Sequence, residues 1–326
     1  MDRPWLAAAG IALVWIVLVD VAWTTIAVAG GRGPVTNMVA HSLWSTVRGA
    51  RSHRVLHLAG VLILVTVLVT WVLAMLAGWA LLFNADDASV VDSSSQAPAG
   101  AVAKVAYAAG ALAGAGAGYT ATTGGWQLAN NIAALGGLAL FTLAISYLLQ
   151  VVSAATQKRA TAVHISGLGA GPAEIVAAGA GQPSLGAVGN QVTSLTTQLA
   201  LIARQHLALP VLHYLHVGDR DAAIELAVAR LDEALTIIEC GLPGEHGPVV
   251  GPARTAIDEY LKTTRIPDTG EGAPPPPDLA ALTDRDVDID TDRLEHHIAA
   301  ASRRRSRLRA LVEVNGWDWE SDVTRH

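Results

Sequence analysis

Apolar positions along the chain gather into three long runs: Trp5 to about Ala29, Leu56 to Phe83, and about Leu128 to Val152. Each meets the roughly 20 apolar residues that a helix needs to cross a hydrocarbon core. The first reads as a span rather than a cleaved signal peptide, because its apolar stretch exceeds the usual h-region. The second and third runs are separated by about forty residues that start polar ("NADDASVVDSSSQAPAG") and turn small and apolar from Ala101 ("AVAKVAYAAGALA"). This last piece is too short to cross a bilayer and fits a half-helix that enters the membrane and turns back. Such backbone is tolerated at depth only where it is buried in protein or lines a watery path.

Beyond Val152 the pattern changes. Gln191 to Ala208 reads as a helix, and Asp221 to Glu239 as an amphipathic helix whose apolar stripe needs a partner. "PDTGEGAPPPPD", Pro267 to Asp278, reads as a semi-rigid linker. Asp292 with Glu295 reads as a capping box opening the last helix. The fold class expected is an all-α membrane protein with three transmembrane helices and a re-entrant pore loop, followed by a helical cytoplasmic domain. Its expected divisions are 1–55, 56–153, 154–266, the Pro-rich linker 267–279, and a C-terminal helix within 280–326.

Composition sharpens this picture. The 326 residues are 52% hydrophobic and only 15% charged, too apolar for an ordinary soluble domain. Up to Ser153 there are six Lys/Arg and five Asp/Glu, against sixteen and twenty-three beyond it. The first half is therefore a membrane unit and the second a mildly acidic soluble region. Cys240 stands alone, which excludes an intrachain disulfide. The first connection carries Arg32, Arg48, Arg51 and Arg54 without an acid, and Lys158 and Arg159 follow the third run. The second connection carries Asp86, Asp87 and Asp92 instead. By the positive-inside rule the N-terminus lies outside and the C-terminus in the cytoplasm of a multi-pass inner-membrane protein. The bilayer is one partner; a nucleic acid is not expected.

The stretch "GAGAGY", Gly114 to Tyr119, follows the short apolar piece directly. A selectivity filter replaces an ion's water with backbone carbonyls, and alternating glycines supply the backbone freedom it needs. The alternative is a flexible loop dipping into the interface, with Gly and Ala as filler.

The flanks carry a resemblance. "GGWQLANNIAALGGLALFTLAISYLLQVVSAATQKRA", Gly124 to Ala160, resembles the inner helix and exit of the bacterial potassium-channel-like, two-span pore family. "DVAWTTIAVAGGRGP", Asp20 to Pro34, is similar to the first span and loop of a subgroup with an extra N-terminal span. "VHISGLGAGPAEI", Val163 to Ile175, and "LPVLHYLH", Leu209 to His216, resemble further pieces of that subgroup. The resemblance implies an ion path along the backbone of Gly114, Ala115, Gly116, Ala117 and Gly118. Potassium or another monovalent cation would be the permeant ion, with no cofactor, in a homotetramer. The family's filter reads Thr-x-Gly-x-Gly-Asp; here Gly114 replaces the threonine and Tyr119 the acid, which predicts a loosely braced and weakly selective filter. Gly136 and Gly137, mid-way along the third run, match the family's gating hinge, with close helix packing by small residues as the alternative.

Other residues invite chemistry. Asp20, an acid inside a span, is expected to bond Thr24 or a loop arginine. Asn130 and Asn131 are expected to hold neighbouring helices or loop backbone, and Trp126 to anchor the interface. Gly167 and Gly169 begin a dinucleotide fingerprint, but Pro172 takes the third glycine's place. His206, His213 and His216 lack the carboxylate or cysteine that would complete a metal set. "DRDVDIDTD", Asp284 to Asp292, lacks a calcium loop's glycine and closing glutamate. Arg303, Arg304, Arg305, Arg307 and Arg309 could grip anionic headgroups or balance local acids. Asp86, Asp87 and Asp92 would concentrate cations at an outer mouth. No nucleophile–base pair is visible, so no enzyme is expected. The function expected is a potassium-channel-like cation pore; the alternative is a non-conducting pore-fold scaffold or sensor acting through its cytoplasmic domain.

Overall fold

The computed structural model describes residues 2–26, 33–47, 53–115, 118–180, 185–244, 246–264, 266 and 272–323. Three of its helices are long and apolar enough to cross a membrane: α1 (Pro4–Ile26), α3 (His53–Phe83) and α5 (Gly124–Ser166). Between the first two lies α2 (Pro34–Val47). Between the last two come β1 (Val90–Asp92), α4 (Ala101–Ala113) and β2 (Tyr119–Ala121). The third apolar run ends near Val152, yet α5 continues without a break for 43 residues. Its polar end has Gln157, Lys158 and Thr161 bonded to neighbours, so tertiary contacts carry it past the end of the hydropathy signal.

The chain divides into two compact units, 1–46 with 61–151 and 47–60 with 152–326. In the first, α1 and α3 approach closely where Gly10 meets Gly78; a Cβ on Gly10 would press on the α3 backbone. Small residues at helix crossings are how membrane bundles bring backbones together. Trp71 packs on Tyr147 at 5.8 Å, and Phe83 meets Trp79, Tyr107 and Trp126 at 6.1, 5.1 and 6.0 Å. β1 and β2 pair antiparallel, with Val91 opposite Thr120.

Asp20 organises one corner of this unit. Its buried carboxylate accepts from the Val35 N–H (2.8 Å), the Thr36 N–H (3.2 Å) and hydroxyl (2.7 Å), and the Trp71 indole N–H (2.8 Å). It thus caps α2 from another helix, where orphan N–H groups and the helix dipole favour an anion. Thr24 instead accepts from the Gly33 N–H at 3.1 Å. Among the described residues Asp20 is thus met by the amino end of α2 and by Trp71, not by Thr24; of the loop arginines also expected, Arg32, Arg48 and Arg51 lie outside the described residues.

The second unit is built around α8 (Ile224–Cys240), which is buried on all sides except at Glu239. It contacts α6 (Pro172–Ala177), α9 (Gly247–Thr263), α11 (Thr291–Ala300) and α12 (Ser302–Val314), while α7 (Gly186–Ala208) packs along α9. Short helices α10 (Ala280–Thr283) and α13 (Trp319–Asp322) complete it. The expected one-sided stripe on α8 is thus replaced by burial all round, and its charges are met by ion pairs. Lys158 reaches Glu225 at 2.8 Å, Arg305 reaches Glu233 at 2.7 Å, and Arg254 and Arg304 both reach Asp232 at 2.7 Å. Arg305 also donates to the Pro274 and Pro275 carbonyls, tying the described part of the Pro-rich stretch into this body. The cap of α11 is Asp290, which accepts from the Arg293 N–H at 3.0 Å, rather than the Asp292–Glu295 box. The arginine run lies on α12, a separate helix after a break at Ala301.

Candidate functional site

The glycine run singled out between the second and third apolar runs lies at the C-terminal end of α4. This 13-residue helix, mostly of small side chains, is stopped by Gly114. Its φ of 68° is left-handed, a conformation open to glycine at little cost. The Ala115 N–H bonds the Gly110 carbonyl at 2.8 Å, and the Gly114 N–H bonds Ala111 at 3.1 Å, closing the helix end. Gly118 is also left-handed, at φ 71°. Its carbonyl accepts from the Ser93 N–H at 3.1 Å as the chain enters β2. Gly116 and Ala117 lie outside the described residues.

This turn opens on a cavity of ≈ 550 Å³. Gly110, Ala111, Gly114 and Ala115 form one wall, Tyr119, Thr120 and Ala121 a second, and Gln127, Asn130, Asn131 and Ala134 of α5 a third. Tyr107 completes the lining, its hydroxyl meeting the backbone of Ala121. Among the described residues no charged side chain lines the cavity. Asn130 and Asn131, expected to hold helices or loop backbone, line this space.

Gly137 sits where α5 crosses α4, and a Cβ there would collide with the Leu112 carbonyl. Gly136 meets nothing. Both lie inside an unbroken helix. Of the three loop acids, Asp86 bonds the Ala88 N–H and Asp87 pairs with Arg3 at 3.4 Å. Asp92 is held at about 2 by hydrogen bonds from the hydroxyls and N–H groups of Ser94 and Ser95, so it stays charged while shaping a turn. Lys104 donates to the Asp86 and Asp87 carbonyls at 2.7 and 3.1 Å, fixing this loop to α4.

A curated relative spans nearly the whole chain. The uncharacterized membrane protein YdjJ of Bacillus subtilis (strain 168) is 30% identical over 320 residues, 95% of this chain and 94% of the relative. This chain belongs to the YdjJ family. It is accordingly a membrane protein with three candidate spans, and side chains such as Trp15, Leu62, Leu135 and Leu138 stand exposed along them. No family model and no solved structure matches it.

The other candidates of this YdjJ-family chain fall in its second unit. His206 is buried against His213 and Tyr260, at ring distances of 5.1 and 5.4 Å. Burial, helped by the Lys158 charge, pushes it down to about 4. Among the described residues no His, Cys, Asp and Glu group of metal-binding size exists. Gly169 packs against the backbone at Ile175 and Pro172 opens the short α6, so this segment is a helix-to-helix turn. Asp290 of the acidic stretch serves as a cap. Three of the five arginines reach other helices, Arg304 and Arg305 to acids of α8 and Arg307 to the Leu261 carbonyl, while Arg309 pairs with Glu313 one turn along α12. Arg303 is exposed. Sequence reading missed the ion pairs of α8, whose only signal was four charges within nine residues of an otherwise apolar helix.

Proposed function

We propose that this chain is one protomer of a potassium-channel-like cation pore. In this reading α4 is the half-helix of a re-entrant pore loop, and Gly114 to Gly118 line the path in a ring of four chains. The observation that carries it is the order of parts: span, short apolar helix, glycine-capped turn, span, with the helix end opening on a polar cavity. A single loop encloses no axial path, so conduction requires a ring. The resemblance of Gly124 to Ala160 to an inner helix supports the assignment. The second unit then lies in the cytoplasm and the β1–β2 segment outside, as the arginine-rich first loop favours.

A second reading keeps the fold without conduction, as a membrane scaffold or sensor acting through the second unit. The replacement of the filter threonine by Gly114 and of its closing acid by Tyr119 favours it. Ion flux through the purified protein in liposomes separates the two. A pore gives cation flux that Gly116→Val abolishes. A scaffold gives none from protein shown to be folded and oligomeric.

A further inference from the structure

The last turns of α5 belong to the second unit and carry a buried cation into it. Lys158 pairs with Glu225, in the first turn of α8, at 2.8 Å, and both side chains are buried. One buried acid needs one cation, and Lys158 supplies it. Yet two buried histidines stand beside the pair. His206 of α7 feels the charges of both Lys158 and Glu225, and His216 acts on the charge of Glu225. His213 and Tyr260 of α9 also face His206, at ring distances of 5.1 and 5.4 Å. Beside them the uncharged amides of Gln157 and Gln205 bond each other at 2.9 Å.

The cluster thus holds one acid and more than one group able to balance it, and these groups sit on different elements. Lys158 comes from α5. His206 is fixed to α7, with its Nδ1 3.0 Å from the Ile202 carbonyl. A carbonyl only accepts, so Nδ1 carries the hydrogen and Nε2 is the nitrogen open to a proton. With Lys158 in place that proton is kept off, because burial, and then the Lys158 charge, push His206 down to about 4. With Lys158 withdrawn, its repulsion goes and the attraction of Glu225 stays, which favours the charged ring. A buried carboxylate left without a cation is strongly destabilising, and His206 is placed to supply one.

We propose that the Lys158–Glu225 pair is a latch released by proton exchange: as Lys158 leaves the cluster, Nε2 of His206 takes up a proton and replaces it as the counter-ion of Glu225. The exchange balances, one ammonium out and one proton in. The released form binds one more proton than the latched form, so falling pH loosens the hold of the helical body on the end of α5. For a ring that returns to an ordinary ~6.5 on release, release is favoured about tenfold more at pH 5.5 than at pH 8.

The test uses the full-length protein with single cysteines as probes. Ala162, one turn beyond Lys158 on α5, is buried in the core, and the adjacent Val163 is exposed. Maleimide labelling of Ala162→Cys is taken relative to Val163→Cys, which cancels the pH dependence of the thiol itself. This ratio is expected to rise about tenfold from pH 8 to pH 5.5, while the native Cys240, buried on α8, stays unlabelled. His206→Gln takes up no proton and should hold the ratio flat, and His206→Leu replaces it if that variant fails to fold. The His206 ring, followed by NMR, gives an independent reading. Lys158→Met should raise its protonation midpoint from about 4 to near ~6.5 or above. A ratio that ignores pH, a full rise that survives in the His206 variant, or a midpoint still at about 4 in Lys158→Met would each overturn the latch. So would labelling of Cys240 in step with position 162, which would mean general unfolding. None of these outcomes bears on conduction, so the latch and the pore reading stand or fall separately.

Discussion

Asp20 accepts four hydrogen bonds from Val35, Thr36 and Trp71. Each bond to a charged group contributes about 1.5–3 kcal/mol, and donors left without it keep their desolvation cost. Asp20→Ala should therefore destabilise the protein by about 3–5 kcal/mol, the usual effect of breaking a buried charged network. Thermal unfolding in detergent measures this, and an unchanged midpoint would refute the capping role. His206 makes a pH prediction. Its folded value of about 4 lies below the ordinary ~6.5 of an unfolded chain. As pH falls, the unfolded chain binds the proton first. The contribution of the neutral ring is complete above ~6.5 and is lost between there and ~4, by as much as about 3 kcal/mol. His206→Leu should flatten that part of the stability profile, which melting temperatures between pH 7 and 4 would reveal.

Among elements, the α4–α5 crossing separates two roles for adjacent glycines. Gly137→Ala places a methyl on the Leu112 carbonyl and should cost about 1–3 kcal/mol, as overpacking does. Gly136→Ala meets open space and should be neutral or stabilise by up to about 1 kcal/mol through helix propensity. If unfolding shows the two substitutions to be equal, the packing account of Gly137 is wrong. The spans were legible because each is a run of apolar residues long enough to stand out locally, and α4 because its small residues end at a glycine. The character of α8 was not legible. An amphipathic helix with one apolar stripe was the expectation there, because the partners of Glu225, Asp232 and Glu233, namely Lys158, Arg254, Arg304 and Arg305, lie far away in sequence. Of the arginine run, Arg304, Arg305 and Arg307 answer to groups on other helices, far away in sequence, and Arg309 to Glu313 on its own helix. At the site, the amides of Gln127, Asn130 and Asn131 gave no local pattern that distinguishes lining a cavity from joining helices.

For the whole molecule, the lone cysteine makes orientation measurable. Cys240 is buried, and burial raises its thiol above the ordinary range, so the unaltered chain should resist a membrane-impermeant maleimide. Ala97 and Arg303 are exposed. Under the proposed topology Ala97→Cys is labelled on intact cells, and Arg303→Cys only after permeabilisation. The reverse pattern would invert the orientation.

The cap on α2 also has a consequence in time. During synthesis the chain reaches Asp20 before any of its donors exist, and Trp71 follows 51 residues later. At roughly 5–20 residues per second that is about 3–10 s. Until Val35 and Thr36 are made, 15 and 16 residues after Asp20, α1 carries an unmet acid whose insertion would be opposed by roughly 2.5–3.5 kcal/mol at a span's centre, and its fourth donor is missing until Trp71. The first helix therefore cannot settle to its final depth as an isolated insertion event. Its completion waits on α2 and α3, so biogenesis of this corner is a joint act of three segments.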